Sequence, residues 1–140
     1  MTTSQSFKKA TGTLNATINN VANFVADEVY FNTAKNRLTI LGADENSAGP
    51  LRLIEIAVLA DISNGEHSYP SAQVLALSAG ANTAPAHFIT ELGTLNVDFD
   101  RVNHRYRGHF DFTATNLFRP KNTIKVVGDF DIHANPTSKQ

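Results

Sequence analysis

The sequence predicts an all-β protein, an antiparallel β-sandwich or flattened barrel of about eight or nine strands ending in a three-strand meander. Three observations carry this reading. The last third of the chain alternates apolar and polar residues in three successive stretches. The same alternation recurs near the start of the chain. Nowhere do apolar residues recur at the 3.6-residue spacing of a long amphipathic helix. A period of two marks strands with one buried and one wet face.

Taken in order, residues 1–10 carry Thr, Ser, Gln and Lys with little to bury, and read as an irregular end. Leu14, Ala16 and Ile18 then alternate with Asn15 and Thr17, and Asn19-Asn20 closes that strand. Phe24 to Phe31 is rich in Val, Tyr and Phe and reads as the next. Asn32 to Asn36 is a turn by composition, and Leu38 to Leu41 resumes the strand pattern. Ala43 to Pro50 is a polar loop.

Leu51 to Ala60 is apolar on both parities past Glu55, as expected of a central strand covered on both sides. Leu, Ala, Ile and Glu also suit a helix, but the neighbouring strands favour the sheet. Ser63 to Glu66 is a turn. From Tyr69 to His87 the pattern fades: Val74 to Leu77 fits a strand or a helical turn, and Ser78 to Pro85 has no period. Phe88 to Leu92 leads into the meander, and residues 134–140 form a polar tail.

In the meander Leu95, Val97 and Phe99 share one face. Tyr106, Gly108, Phe110, Phe112 and Ala114 follow, then Ile124, Val126, Gly128, Phe130 and Ile132. A symmetric hairpin through Arg101 to His104 sets Asp98 opposite Arg107 and Asp100 opposite Arg105, and opposite charges so placed help to set register. Gly108 and Gly128 fall on the inward parity of adjacent strands. Either the rings of Phe110 and Phe130 fill the space above them, or a small apolar pocket lies there.

At 140 residues the chain is read as one domain, 1–140, able to bury roughly two-thirds of its unfolded surface. Twelve basic against thirteen acidic residues give a net charge of -1, which supplies no field to draw in nucleic acid or an anionic membrane. Self-association or a protein partner is the expectation instead. The absence of cysteine excludes disulfides, thiolate metal sites and a cysteine nucleophile. The opening MTTSQSFKKATG has no apolar run of signal-peptide length, and the longest such run, Ile56 to Ala60, is too short to span a bilayer. A soluble, cytoplasmic protein is therefore expected.

Candidate chemistry gathers on the polar face of the meander. His109, Asp111, Asp129, Asp131 and His133 are the candidate ligand-binding residues, since imidazole and carboxylate on neighbouring strands can meet a ligand or divalent ion. Arg107 and Lys125 stand among them and oppose a cation, so no metal or cofactor is expected; the plainest role for these charges is a solvated face. His67, His87 and His104 are scattered and read as surface residues. A P-loop, G-x-G-x-x-G, H-E-x-x-H, EF-hand and G-x-S-x-G are all missing, which weighs against an enzyme. Phe99, Phe110, Phe112 and Phe130 read as core; Tyr30, Phe31 and Tyr69 are the candidate exposed aromatics.

G-T-L-x-V-x-F at Gly93 to Phe99, G-x-F-x-F-T-A-T at Gly108 to Thr115 and T-I-K-V-x-G-x-F-D-I at Thr123 to Ile132 follow one another in order. With G-T-L-x-A-T-I-N-N at Gly12 to Asn20 and Gly65 before Ser68-Tyr69, this resembles small bacterial all-β domains of uncharacterised function, many of them exported lipoproteins. The resemblance spans residues 12–132 and implies the β fold without supplying catalytic residues. The chain departs from the exported members in lacking a lipid-attachment cysteine. The leading expectation is a non-catalytic module that binds a partner protein, a glycan or a copy of itself. A barrel holding a small apolar ligand and a metal-dependent enzyme using the His/Asp face are the alternatives.

Overall fold

In the computed structural model, residues 8–20, 22–44, 53–80, 88–116 and 123–134 are described. They form ten antiparallel strands: β1 (Lys8–Ile18), β2 (Ala22–Val25), β3 (Glu28–Ala34), β4 (Arg37–Ala43), β5 (Leu53–Leu59), β6 (Gly65–Tyr69), β7 (Val74–Gly80), β8 (Phe88–Asp100), β9 (Arg105–Asn116) and β10 (Thr123–His133). Nine follow one path, β6-β8-β9-β10-β1-β3-β4-β5-β7, and β2 pairs with β1. The all-β expectation holds, in its flattened-barrel form.

β1 joins the two halves of the sheet. Lys8 to Ala10 pair with β3, whereas Thr11 to Ile18 pair with β10. The corner falls at Gly12, whose φ of 125° suits glycine and whose missing Cβ would run into the Asp131 carbonyl. The barrel nearly closes where β7 meets the start of β8, and there the Thr90 hydroxyl donates to the Leu77 carbonyl. Register shifts lie in both strands' pairings, at Ala57/Val58 against β7 and at Thr90/Leu92 in β8. Such irregularities sharpen twist, which is what closure needs.

Several boundaries differ from expectation. Lys8 to Ala10 form paired strand rather than an irregular end, because β3 supplies a partner. Phe24 to Phe31 is split: after Val25 the chain turns, with the Ala26 and Asp27 amides donating to the Leu14 and Ala43 carbonyls at 3.0 and 2.7 Å. Buried Asp44 holds β2 in place by accepting from the Val25 amide at 2.9 Å. β3 continues to Ala34, so the turn shrinks to Lys35-Asn36. Gly65 and Glu66 open β6, and Ser78 to Gly80 complete β7. The expected loop segments 45–50 and 81–85 lie outside the described residues, as does His87.

β5 meets the expectation of cover on both sides only in part. Ile54, Ile56 and Val58 point inward and are buried, but on the outer parity Ala57 alone, between Thr39 and Ala76, is fully buried, while Leu53, Glu55 and Leu59 are half-buried. One end of the barrel is plugged by Ile62. Arg101 clamps this plug, donating to the Ala60 and Ile62 carbonyls at 2.9 Å each while lying 5.5 Å over the Phe99 ring. The Asn64 side chain bonds both main-chain groups of Phe99, at 2.8 and 3.2 Å, like a short extension of the ladder. Tyr106 sits between Phe31 and Phe99, and burial pushes its phenol pKa up.

Three glycines face phenylalanines across strand pairs: Gly93 and Phe112, Gly108 and Phe130, Gly128 and Phe110. Above Gly108 the Phe130 ring fills the space, so no apolar pocket lies there. Gly128 corrects the expectation in a different way. Its missing Cβ would meet β1 main chain, with Ala16 Cα 2.7 Å away, rather than a ring.

Candidate recognition face

The polar sides of β6, β8, β9, β10, β1 and β2 form one continuous outer face. Because these strands pair without bulges at its centre, side chains line up across them. Glu66, Asn96, His109, Asp129, Asn15 and Val25 are successive register partners and all are exposed. Five spacings of about 4.8 Å make this row about 24 Å long. Its five polar side chains make no hydrogen bond or ion pair among the described residues.

The flanking levels are different, because their charges are spent on one another. On one side Arg107 meets Asp98 at 2.6 Å, the predicted register pair. Arg105 forks onto Asp131 at 2.9 and 2.6 Å instead of bonding Asp100. Asp100 instead accepts from the Asn103 side chain and amide, at 2.7 and 3.3 Å. These bonds hold both carboxyls below the usual carboxylate range: Asp131 through Arg105, Asp100 through Asn103. On the other side Lys125 lies 3.6 Å from Asp111.

The five residues singled out by sequence therefore separate. His109 and Asp129 stand side by side in the central row. Asp111 lies one level away and Asp131 one level the other way, both engaged with cations. His133 is opposite Arg105, at the far end. Among the described residues no three His, Asp or Glu side chains converge on one point. Of the candidate exposed aromatics, Phe31 packs on Tyr106, Tyr69 packs on the core, and the Tyr30 hydroxyl bonds Glu28.

The row ends in an open depression of about 240 Å³ over β10, β1 and β2. Asn15, Thr17 and Asp129 give it polar atoms, Val25 and Val127 give it aliphatic walls, and Ala16, Phe24 and Gly128 complete the lining. Val25 is 57% exposed, one of four large apolar side chains so placed among the described residues. Asn15 and Val25 escape sequence reasoning as site residues, since β1 and β10 are adjacent in space but far apart in the chain, and Asn96 carries no charge or imidazole to single it out. Asn15 and Thr17 were legible as outward residues of a strand; their neighbour was not.

Comparison with protein families, curated proteins and solved structures finds no match to this chain.

Proposed function

We propose that the protein is a non-catalytic binding module and that the outer face of β6-β8-β9-β10-β1-β2 is its recognition surface. One observation carries the reading: a row of exposed hydrogen-bonding groups, without partners among the described residues, runs between levels whose charges neutralise each other and ends in a depression. Exposed polar atoms left to water can exchange it for a ligand, whereas atoms in ion pairs must first give up a partner. The interior offers no rival beneath Gly108, where Phe130 fills the space.

An NMR screen of the ¹⁵N-labelled full chain against a library of small organic fragments tests this. Binding through the face moves the amides of Asn15, Thr17, Val25, Val127 and Asp129. Fragments that cluster elsewhere, or none that bind, would reject it.

A further inference from the structure

We infer that the ligand of this face is a neutral, hydroxyl-rich chain, an oligosaccharide lying across the strands with one sugar ring in the depression. The inference rests on the recognition reading above and names its ligand class.

Four features select this chemistry. The row offers donors and acceptors in alternation: Asn15 and Asn96 present both, Asp129 and Glu66 accept, and the His109 ring adds a nitrogen donor or acceptor. Sugar hydroxyls, each donor and acceptor, match such a set. Second, the charges beside the row are paired as Asp98–Arg107, Asp131–Arg105 and Asp111–Lys125. The two carboxylates left in the row, Glu66 and Asp129, turn away an anionic ligand and are free to accept from hydroxyls.

Third, the described residues of the face expose no Phe, Tyr or Trp side chain, since Phe24 beneath the depression is fully buried, and its arginines are held by Asp98 and Asp131. Aromatic and arginine anchors dominate protein–protein interfaces, so a protein partner lacks its usual footing. Fourth, a depression of about 240 Å³ falls below the roughly 300–1,000 Å³ of drug-sized pockets and suits a single ring. Val25 and Val127 wall it with aliphatic carbon for the C–H surface of that ring, while Asn15, Thr17 and Asp129 supply its polar contacts. The row's length of about 24 Å leaves room for further sugar units.

The test is titration of the ¹⁵N-labelled full chain with cellohexaose, maltohexaose and mannohexaose. At least one should give saturable shifts confined to Asn15, Val25, Asn96, His109 and Asp129. Asn15→Ala and Asp129→Ala should each weaken that binding about tenfold, a change of about 1.4 kcal/mol. Asp98→Ala, on the same face but in a paired level, should leave it within about twofold; all three positions are exposed, so each variant's unperturbed spectrum reports an intact fold.

No saturable shift from any of the three sugars, with fragments still gathering at Asn15 and Asp129, would overturn the saccharide inference and leave the recognition face standing. Shifts from an extended polar peptide but from no sugar would overturn it too. Failure of fragments and sugars together would remove both readings.

Discussion

The Phe130 ring lies against the bare Cα of Gly108 on the neighbouring strand, two of its atoms 2.5 and 2.7 Å from where a Cβ would sit. A large ring over a glycine restores the apolar cover that the glycine lacks, and lets the sheet twist tightly there. Phe110, opposite Gly128, stacks on Phe130 with ring centres 6.5 Å apart. The two glycines are nevertheless unequal. At Gly108 the obstacle is mainly a side chain, whereas at Gly128 it is the backbone of β1.

That difference predicts an order of stabilities. Gly108→Ala should cost about 1–3 kcal/mol through overpacking. Gly128→Ala should cost more, because main chain in the β1–β10 ladder cannot step aside. Gly80→Ala, which meets open space, should be neutral or gain about 0.4–1 kcal/mol by narrowing the unfolded ensemble. Denaturant midpoints of the three variants check the order; a Gly128→Ala protein as stable as the parent would contradict it.

The plugged end of the barrel depends on Asn64. Asn64→Ala strips both side-chain partners from the main chain of Phe99. Leaving such groups unsatisfied costs about 1–3 kcal/mol. Hydrogen exchange should show faster exchange at the Phe99 amide in the variant, and unchanged protection there would argue against this role.

Asp98 and Arg107 are exposed, so their contact is modest. A double-mutant cycle should give a coupling of about 0.2–1 kcal/mol that shrinks in high salt. A coupling indifferent to salt would not fit an exposed pair.

Acid should weaken the fold in a particular way. Tyr30, then Lys9, hold Glu28 below its usual range; Asn103 does the same for Asp100, and Arg105 for Asp131. Each carboxyl binds its proton less readily when folded, so the unfolded chain takes up more protons as pH falls. Their stabilisation is complete above the unfolded values of about 3.9–4.3 and disappears as pH drops through the lower folded values. Asp131→Asn should flatten part of this fall below about pH 4. Denaturation midpoints measured from pH 6 to 2 test it, and an unchanged profile would contradict the assignment.

The sequence makes the meander legible because its strands are neighbours in the chain. Alternation from Leu95 to Ile132 predicts the faces, and the short turn at residues 101–104 predicts the Asp98–Arg107 register. What alternation cannot show is which distant strand lies alongside. Asn15 meets Asp129 across more than a hundred residues, and Lys8 to Ala10 become strand only because β3 is there. Arg105 is legible as the partner of Asp100 but bonds Asp131, since Asp100 is already occupied by Asn103. β6 and β7 are hidden for another reason: they flank the seam, where edge strands are short and the pairing is irregular.

The recognition face exists only if β1 pairs with β10 in the observed register, because a one-residue slip would turn Asn15 inward. The chain has no cysteine, so Asn15→Cys and Asp129→Cys introduce its sole thiols. Direct antiparallel partners lie about 4.5–5.5 Å apart at Cα, within disulfide reach. Oxidation of the double variant should close a 15–129 disulfide, seen by mass and by mobility on a non-reducing gel. Failure to close it, with a disulfide forming instead between cysteines placed at 16 and 129, would show the slipped register and dismantle the row.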